Sequence, residues 1–137
     1  MCLNTLKKHP YNTNFVPITV YKLLYKSNIT GKYTAPYVGS IPAFEYKRGM
    51  NKPKTLKKQH NKVFYDTLNQ VYVVNGGWLH AFTKKSDAER VCEIQNRDLL
   101  KEFGEFVVVE MTVPSWTRFY LSENELDICA KKLKWEE

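Results

Sequence analysis

The sequence of 137 residues contains no long hydrophobic run. A membrane-spanning helix needs about 20 consecutive apolar residues, so we expect no membrane partner. The first fifteen residues, MCLNTLKKHPYNTNF, also lack the apolar block of a signal peptide. These two absences predict a cytoplasmic protein. The content of 43% hydrophobic and 26% charged residues is that of one soluble domain.

Cysteine and histidine are scarce and poorly placed for metal binding. The three cysteines lie far apart, are odd in number and form no CxxC pair: Cys2, Cys92 and Cys129. The three histidines likewise show no ligand spacing: His9, His60 and His80. These patterns argue against a disulfide framework and a zinc site. We expect no metal and no cofactor.

Catalytic motifs are also absent. Gly76-Gly77 belongs to neither a dinucleotide-binding nor a Walker sequence, and no GxSxG is present. Glu110 is the acid of most interest, because it interrupts an apolar strand and must there be solvated, paired or shifted in pKa. Solvation or pairing with a lysine explains it without catalysis. We therefore assign no catalytic residue and expect a protein that is not an enzyme.

Acidic residues are nearly missing from the first half of the chain. Residues 1–62 hold twelve Lys/Arg against the single acid Glu45, a net charge of +11, whereas residues 63–137 hold nine against thirteen, a net charge of −4. Such asymmetry predicts a basic face for an anionic partner. The alternative is a lysine-rich solvated surface without a partner, since net charge does not define a site.

The basic residues concentrate between residues 47 and 62, where seven of sixteen positions are Lys or Arg. This composition predicts an exposed loop that a partner would order. Residues 1–16 are predicted to form an extended arm. The loop supplies the residues expected to contact an anionic partner: Arg48, Lys52, Lys54, Lys57 and Lys58.

The clearest local signals lie between residues 71 and 104. Residues 71–74 and 78–82 have strand composition, and Asn75-Gly76 between them predicts a tight hairpin. Ser86 with Glu89 forms a capping box, an apolar stripe follows, and Gly104 is a plausible C-terminal stop. These features predict a helix over residues 86–103.

Further strands are predicted at residues 18–25, 106–113, 117–121 and 130–135. A second capping box, Ser122 with Glu125, predicts a short helix through about Ile128. The resulting fold class is α+β. We expect one domain, with a twisted, mostly antiparallel sheet of five or six strands and the helix packed across one face.

Aromatic residues interleaved with Lys or Arg suggest a ligand site, because anions attract cations and bases stack on aromatic rings. His80 alternates with Trp78 and Phe82 on one face of a predicted strand, although a histidine packed among aromatics is the simpler explanation. Tyrosines beside lysines are also ordinary on an exposed sheet. The predicted ligand-binding residues are Tyr21, Lys22, Trp78, His80, Arg118 and Tyr120.

Several segments carry a resemblance to known proteins: residues 20–22, 77–82, 87–88, 107–114 and 128–133. The chain resembles small uncharacterised proteins of gut bacteria and their phages, and a domain of unknown function attached to pentapeptide-repeat proteins. That resemblance implies no activity. The order of aromatic strand, histidine, helix and strand is also similar to ADP-ribosyltransferases, in which His80 and Glu110 would have to fill catalytic positions.

Together these features favour a non-enzymatic phage or mobile-element accessory protein, located in the host cytoplasm if phage-encoded. Its partner would be anionic, either nucleic acid or a nucleotide-like ligand, and sequestration of a host nucleotide signal would fit. The alternatives are a virion component or host inhibitor that docks on an acidic protein surface, and the ADP-ribosyltransferase-like enzyme. The sequence leaves open whether several copies assemble.

Overall fold

The computed structural model describes residues 12–13, 15–35, 45–52, 63–66, 71–74, 79–122 and 125–136. Within them the chain forms twelve strands and one helix. In chain order these are β1 (Asn12–Thr13), β2 (Ile18–Ser27), β3 (Tyr33–Thr34), β4 (Glu45–Tyr46), β5 (Gly49–Asn51), β6 (Val63–Asp66), β7 (Val71–Val74), β8 (Leu79–Phe82), α1 (Lys85–Asn96), β9 (Gly104–Val113), β10 (Arg118–Leu121), β11 (Asp127–Ala130) and β12 (Leu133–Trp135).

Ten of these strands form one sheet, in the order β1-β10-β11-β8-β2-β9-β12-β5, with β3 pairing both β2 and β4. All described pairs are antiparallel, and β6 with β7 forms a separate two-stranded sheet. The expectation of an α+β fold with a mostly antiparallel sheet is confirmed. The number of strands is larger than the five or six predicted, because several two- and three-residue strands carry no pattern of their own.

The pair β2 and β9 is the longest in the sheet. It runs without interruption from Ile18 opposite Val113 to Ser27 opposite Gly104. Both strands are rich in β-branched and aromatic residues, which suit a pleated surface, and both were predicted from that composition. Helix α1 contacts this pair.

Successive side chains along each strand point to opposite faces of the sheet, and residues directly opposite each other on paired strands point to the same face. We call the apolar side the core face. Its buried side chains form one cluster that includes Val20, Leu24, Leu79, Ala81, Met111, Val113, Phe119, Ile128, Ala130, Leu133, Trp135 and Tyr46. The opposite side, the second face, carries Tyr21, Glu110 and Phe82, which the registers of β2, β8 and β9 align.

The predicted hairpin between residues 71 and 82 is wrong. Strand β7 pairs with β6, and β8 pairs with β11 and β2. Asn75-Gly76 lies outside the described residues. The two strand segments were recognised correctly, but their composition did not specify which partner each would choose.

The helix is shorter than predicted and begins without the capping box. Its N-cap is Lys84, which makes no side-chain cap hydrogen bond, and it ends at Asn96 rather than Phe103. The Asn96 side chain explains the end: Nδ2 donates to the Phe106 carbonyl at 2.9 Å and Oδ1 accepts from the Phe106 N–H at 2.8 Å. At twelve residues α1 is too short to cross a membrane, so the described part of the chain contains no candidate membrane helix.

Ser122 and Glu125 do not start a helix either. Residues 127–130 form strand β11, and the Ser122 hydroxyl accepts a hydrogen bond from the Asp127 N–H at 3.0 Å. Glu125 has a φ of 60°. The serine therefore closes a turn between two strands, which is the common alternative use of the same side chain.

Candidate anion-binding site

Four of the predicted ligand-binding residues lie along the second face. Tyr21 is opposite Phe82, His80 is opposite Cys129, and Cys129 is opposite Tyr120. Arg118 shares this face with Tyr120 because the two are separated by one residue on β10. Trp78 lies outside the described residues. The structure thus aligns Tyr21, His80, Tyr120 and Arg118 on one side of four strands.

Two members of that row are closed to solvent. His80 is 8% exposed and Tyr120 5% exposed, whereas Tyr21 is half-buried and Arg118 is exposed. Glu110, opposite Tyr21, is exposed, which agrees with the solvated alternative given for it above. The buried members of the row offer little surface to a ligand.

His80 has a specific structural partner. Its Nε2 lies 3.2 Å from Oδ1 of Asp127, and its ring meets Phe82 edge to face at 5.5 Å. Burial is the main cause that lowers the pKa of His80. The hydrogen bond with Asp127 raises the pKa, and the nearby Lys22 charge lowers it further. At neutral pH the ring is therefore uncharged, and a proton on Nε2 satisfies the contact with Asp127.

Lys22 must be reassigned from ligand contact to a structural role. It lies between Val20 and Leu24 on the core face, is 6% exposed, and its Nζ donates to the His80 carbonyl at 2.5 Å. Strands β2 and β8 pair only at Tyr21 and Phe82, so this amine supplies a donor where the ladder stops. Burial lowers the pKa of Lys22 to about 8.

An exposed cation with two defined contacts is found instead at Arg48. The guanidinium lies over the Trp135 ring, 4.4 Å from its centroid, and Nη1 donates to the Glu136 carbonyl at 2.7 Å. Trp135 itself is 6% exposed and fixed in the core cluster. A cation held on an aromatic face gains about 0.5–2 kcal/mol and keeps its outward donors available to a planar anion.

The backbone around Arg48 is held by Asn51. Oδ1 of Asn51 accepts from the Lys47 N–H at 2.9 Å, and Nδ2 donates to the carbonyls of Lys47, Gly49 and Leu133. These bonds close the turn that carries Arg48 and join it to β12. Residues 47–62 were predicted as an exposed loop, and that prediction is wrong for Gly49–Asn51, which form β5 against β12.

Aromatic and basic side chains alternate from this point into the sheet. Trp135 meets Tyr33 edge to face at 4.9 Å, and Nζ of Lys26 lies 5.8 Å from the centre of the Tyr33 ring. The sequence pattern of tyrosines beside lysines therefore has a structural basis. Here the rings hold cations in place and are not themselves open for stacking.

Four exposed lysines lie on or beside β5 and β12: Lys47, Lys52, Lys132 and Lys134. Together with Arg48 we call them the basic edge. The acids nearest in sequence are Glu45, two residues before Lys47, and the exposed Glu136, two residues after Lys134. Among the described residues, the Lys/Arg ion pairs involve other cations: Lys32 with Glu45, Lys85 with Glu89, and Arg90 with Asp87.

Of the five residues predicted to contact an anionic partner, Arg48 and Lys52 are described and both are exposed. Lys54, Lys57 and Lys58 lie outside the described residues, two to six positions after Lys52 in the chain. Sequence reasoning missed Trp135, Asn51, Lys132 and Lys134. Of these four, only Lys132 and Lys134 could have been recognised from the sequence, because their alternation with Leu133 and Trp135 indicates that they face solvent.

No group of three or more His, Cys, Asp or Glu side chains among the described residues is arranged to hold a metal ion. Comparisons of the chain with protein-family models, with curated proteins and with solved structures gave no significant match.

Proposed function

We propose that the protein binds an anionic partner, nucleic acid in the first instance, through the basic edge. The observation that supports this most directly is Arg48, an exposed guanidinium fixed on Trp135 and on the Glu136 carbonyl. Four exposed lysines add charge around it. Three more lysines follow within six residues of Lys52, so a partner at this edge meets a local excess of positive charge.

Phosphate is the anion that this arrangement suits. Arginine offers planar, paired donors that match phosphate oxygens, and surrounding lysines supply charge with less demand on geometry. Neutralising several phosphates releases bound counterions, which drives association at low salt. The proposal includes the twisted sheet with α1 across one face, which would leave the basic edge open. It also includes the accessory role in a phage or mobile element that we expect from the sequence.

The test is a binding titration with single-stranded and double-stranded oligonucleotides and with free nucleotides between about 50 and 200 mM salt. Arg48→Ala should weaken binding and lower the slope of log Kd against log salt by about one. Arg48→Lys should retain the slope but bind more weakly, because the ammonium cannot stack or bind in a planar manner.

Arg90→Ala is the matched control. Arg90 is an exposed arginine on α1 whose Nη2 lies 3.7 Å from Asp87 Oδ1, so its charge already has a partner. Its removal should leave both affinity and salt slope unchanged. If Arg48→Ala and Arg90→Ala lost the same affinity, the effect would come from net charge and not from the position of Arg48. Absence of salt-sensitive binding to every probe would refute the proposal.

A further inference from the structure

Two aromatic side chains stand exposed at the opposite end of the strand order from the basic edge. Phe15 is 75% exposed and Trp116 is 67% exposed, and their rings meet edge to face at 4.9 Å. Phe15 follows β1 and Trp116 precedes β10, which pair with each other at Thr13 and Arg118. We call Phe15 and Trp116 the aromatic pair.

The backbone at Trp116 has an unusual conformation. Its φ is 63°, a left-handed value that a bulky side chain rarely adopts and that costs about 1–3 kcal/mol. Glycine would make the same turn without this cost. Since the indole is largely exposed, core packing does not explain why a tryptophan occupies the position.

Two cations lie next to the aromatic pair. Arg118, two residues after Trp116, is exposed, and its carbonyl accepts from the Lys131 N–H at 3.1 Å. Burial and, secondarily, the Arg118 charge lower the pKa of Lys131, in agreement with the closeness of the two residues. A phosphate bound beside the aromatic pair would meet both positive charges.

We propose that the aromatic pair is a stacking platform for the bases of single-stranded nucleic acid, with Arg118 and Lys131 binding the adjacent phosphate. This inference rests on the proposed function and names its substrate class. Bases of a single strand are free to stack on exposed rings, whereas those of a duplex are stacked on each other. An apolar ring beside cations fits a nucleotide, which is apolar on its base and anionic on its phosphate.

The deciding experiment compares an oligothymidylate with an abasic phosphodiester chain of the same length and charge, by fluorescence anisotropy. The wild type should bind the oligothymidylate several-fold more tightly. Trp116→Leu keeps an apolar side chain but removes the ring, and should weaken oligothymidylate binding about tenfold while leaving the abasic chain unaffected. Leu100→Ala, at a residue 65% exposed elsewhere on the surface, is the matched control and should change neither.

Trp116→Gly provides a second readout that a structural role would not produce. Relief of the left-handed strain should keep or raise the melting temperature, while single-strand binding falls as in the leucine variant. A lower melting temperature with unchanged binding would show that the tryptophan serves folding, and would overturn the inference.

The remaining outcomes separate this inference from the proposed function. Equal affinity for the two single strands, or tighter binding of duplex, would overturn base stacking and leave the basic edge intact. Absence of binding to both single strands and to duplex and free nucleotides would overturn both. A blue shift of tryptophan emission with anionic vesicles, lost in Trp116→Leu and absent with oligothymidylate, would assign the pair to a lipid surface and overturn the inference.

Discussion

At the residue scale, Lys22 places an amine among the buried apolar side chains of the core face. Its Nζ donates to the His80 carbonyl and lies 5.3 Å from the centre of the Tyr46 ring. With the pKa lowered from 10.5 to about 8, the buried charge costs about 3 kcal/mol at neutral pH relative to the neutral amine. This cost should be visible in the dependence of stability on pH.

The unfolded chain holds the Lys22 proton up to about pH 10.5, whereas the folded chain releases it near pH 8. Stability should therefore rise with pH, by about 2 kcal/mol between about pH 7.5 and 9.5. Lys22→Met should flatten this rise. At pH 7.5 the free energy of unfolding of the variant should equal or exceed that of the wild type. Urea denaturation at the two pH values measures both. A parallel rise in the variant would show that Lys22 is not its source.

Two neighbouring groups set the limits of that pH window. Burial raises the pKa of Tyr46, so ionisation of the unfolded tyrosine removes stability above about pH 10. The pKa of His80 is lower in the folded chain than in the unfolded chain. The stability that results is fully present above about pH 6.5 and is lost as the pH falls through the pKa of the folded chain. Between these limits the lowered pKa of Lys22 makes stability rise with pH.

Gly104 carries a second residue-scale prediction. A Cβ at this position would lie 2.5 Å from the Lys26 carbonyl oxygen and 2.6 Å from the Tyr25 hydroxyl. Gly104→Ala should destabilise the fold by about 1–3 kcal/mol, because the backbone oxygen cannot move away as a side chain can. The measurement is the free energy of unfolding by denaturant.

Gly31→Ala is the control for Gly104. Gly31 has a φ of +71°, and an added Cβ would meet nothing within 4 Å. The alanine there should cost about 1–2 kcal/mol from left-handed backbone strain alone. A cost for Gly104→Ala no larger than that of Gly31→Ala would contradict the steric explanation.

At the element scale, β5 and the turn before it depend on one side chain. Asn51 makes four hydrogen bonds to backbone groups of the turn and of β12. Asn51→Ala should cost about 1–3 kcal/mol of stability, because buried polar groups lose their partners. It should also weaken oligonucleotide binding to the level of Arg48→Ala, since the turn no longer holds the guanidinium over Trp135.

The control for Asn51 is Asn28→Ala. Asn28 is an exposed asparagine whose Nδ2 donates to the carbonyl of Lys101, away from the basic edge. Its removal should leave binding unchanged. Unchanged binding in Asn51→Ala as well would show that Arg48 needs no preformed turn to act.

The sequence patterns for strands and helices differed in reliability, depending on whether the same residues can also serve another local structure. The long strands β2 and β9 were predictable because apolar, β-branched runs have few alternative uses. The serines at positions 86 and 122 were misleading because a hydroxyl that can cap a helix can equally close a turn, as Ser122 does. The end of α1 was unpredictable because it depends on Asn96 reaching Phe106, ten residues ahead.

At the scale of the whole molecule, the charge asymmetry of the sequence did not indicate where the exposed cations gather in the fold. The basic edge combines Lys47, Arg48 and Lys52 from the first half with Lys132 and Lys134 from the second, which β12 pairing brings together. The aromatic pair likewise joins residues 101 positions apart. No local pattern encodes such contacts, since they exist only once the strand order is set.

The long ladder between β2 and β9 also has a consequence for synthesis on the ribosome. Each residue of β2 finds its partner 77 to 95 positions later in the chain. At about 5–20 residues per second, β2 would wait roughly 4–19 seconds for β9 to be made. During that interval an apolar segment without its partner is exposed to aggregation, and we expect Lys22 and Lys26, which interrupt its hydrophobic run, to oppose it. The buried amine that weakens the finished fold would thus protect the nascent chain.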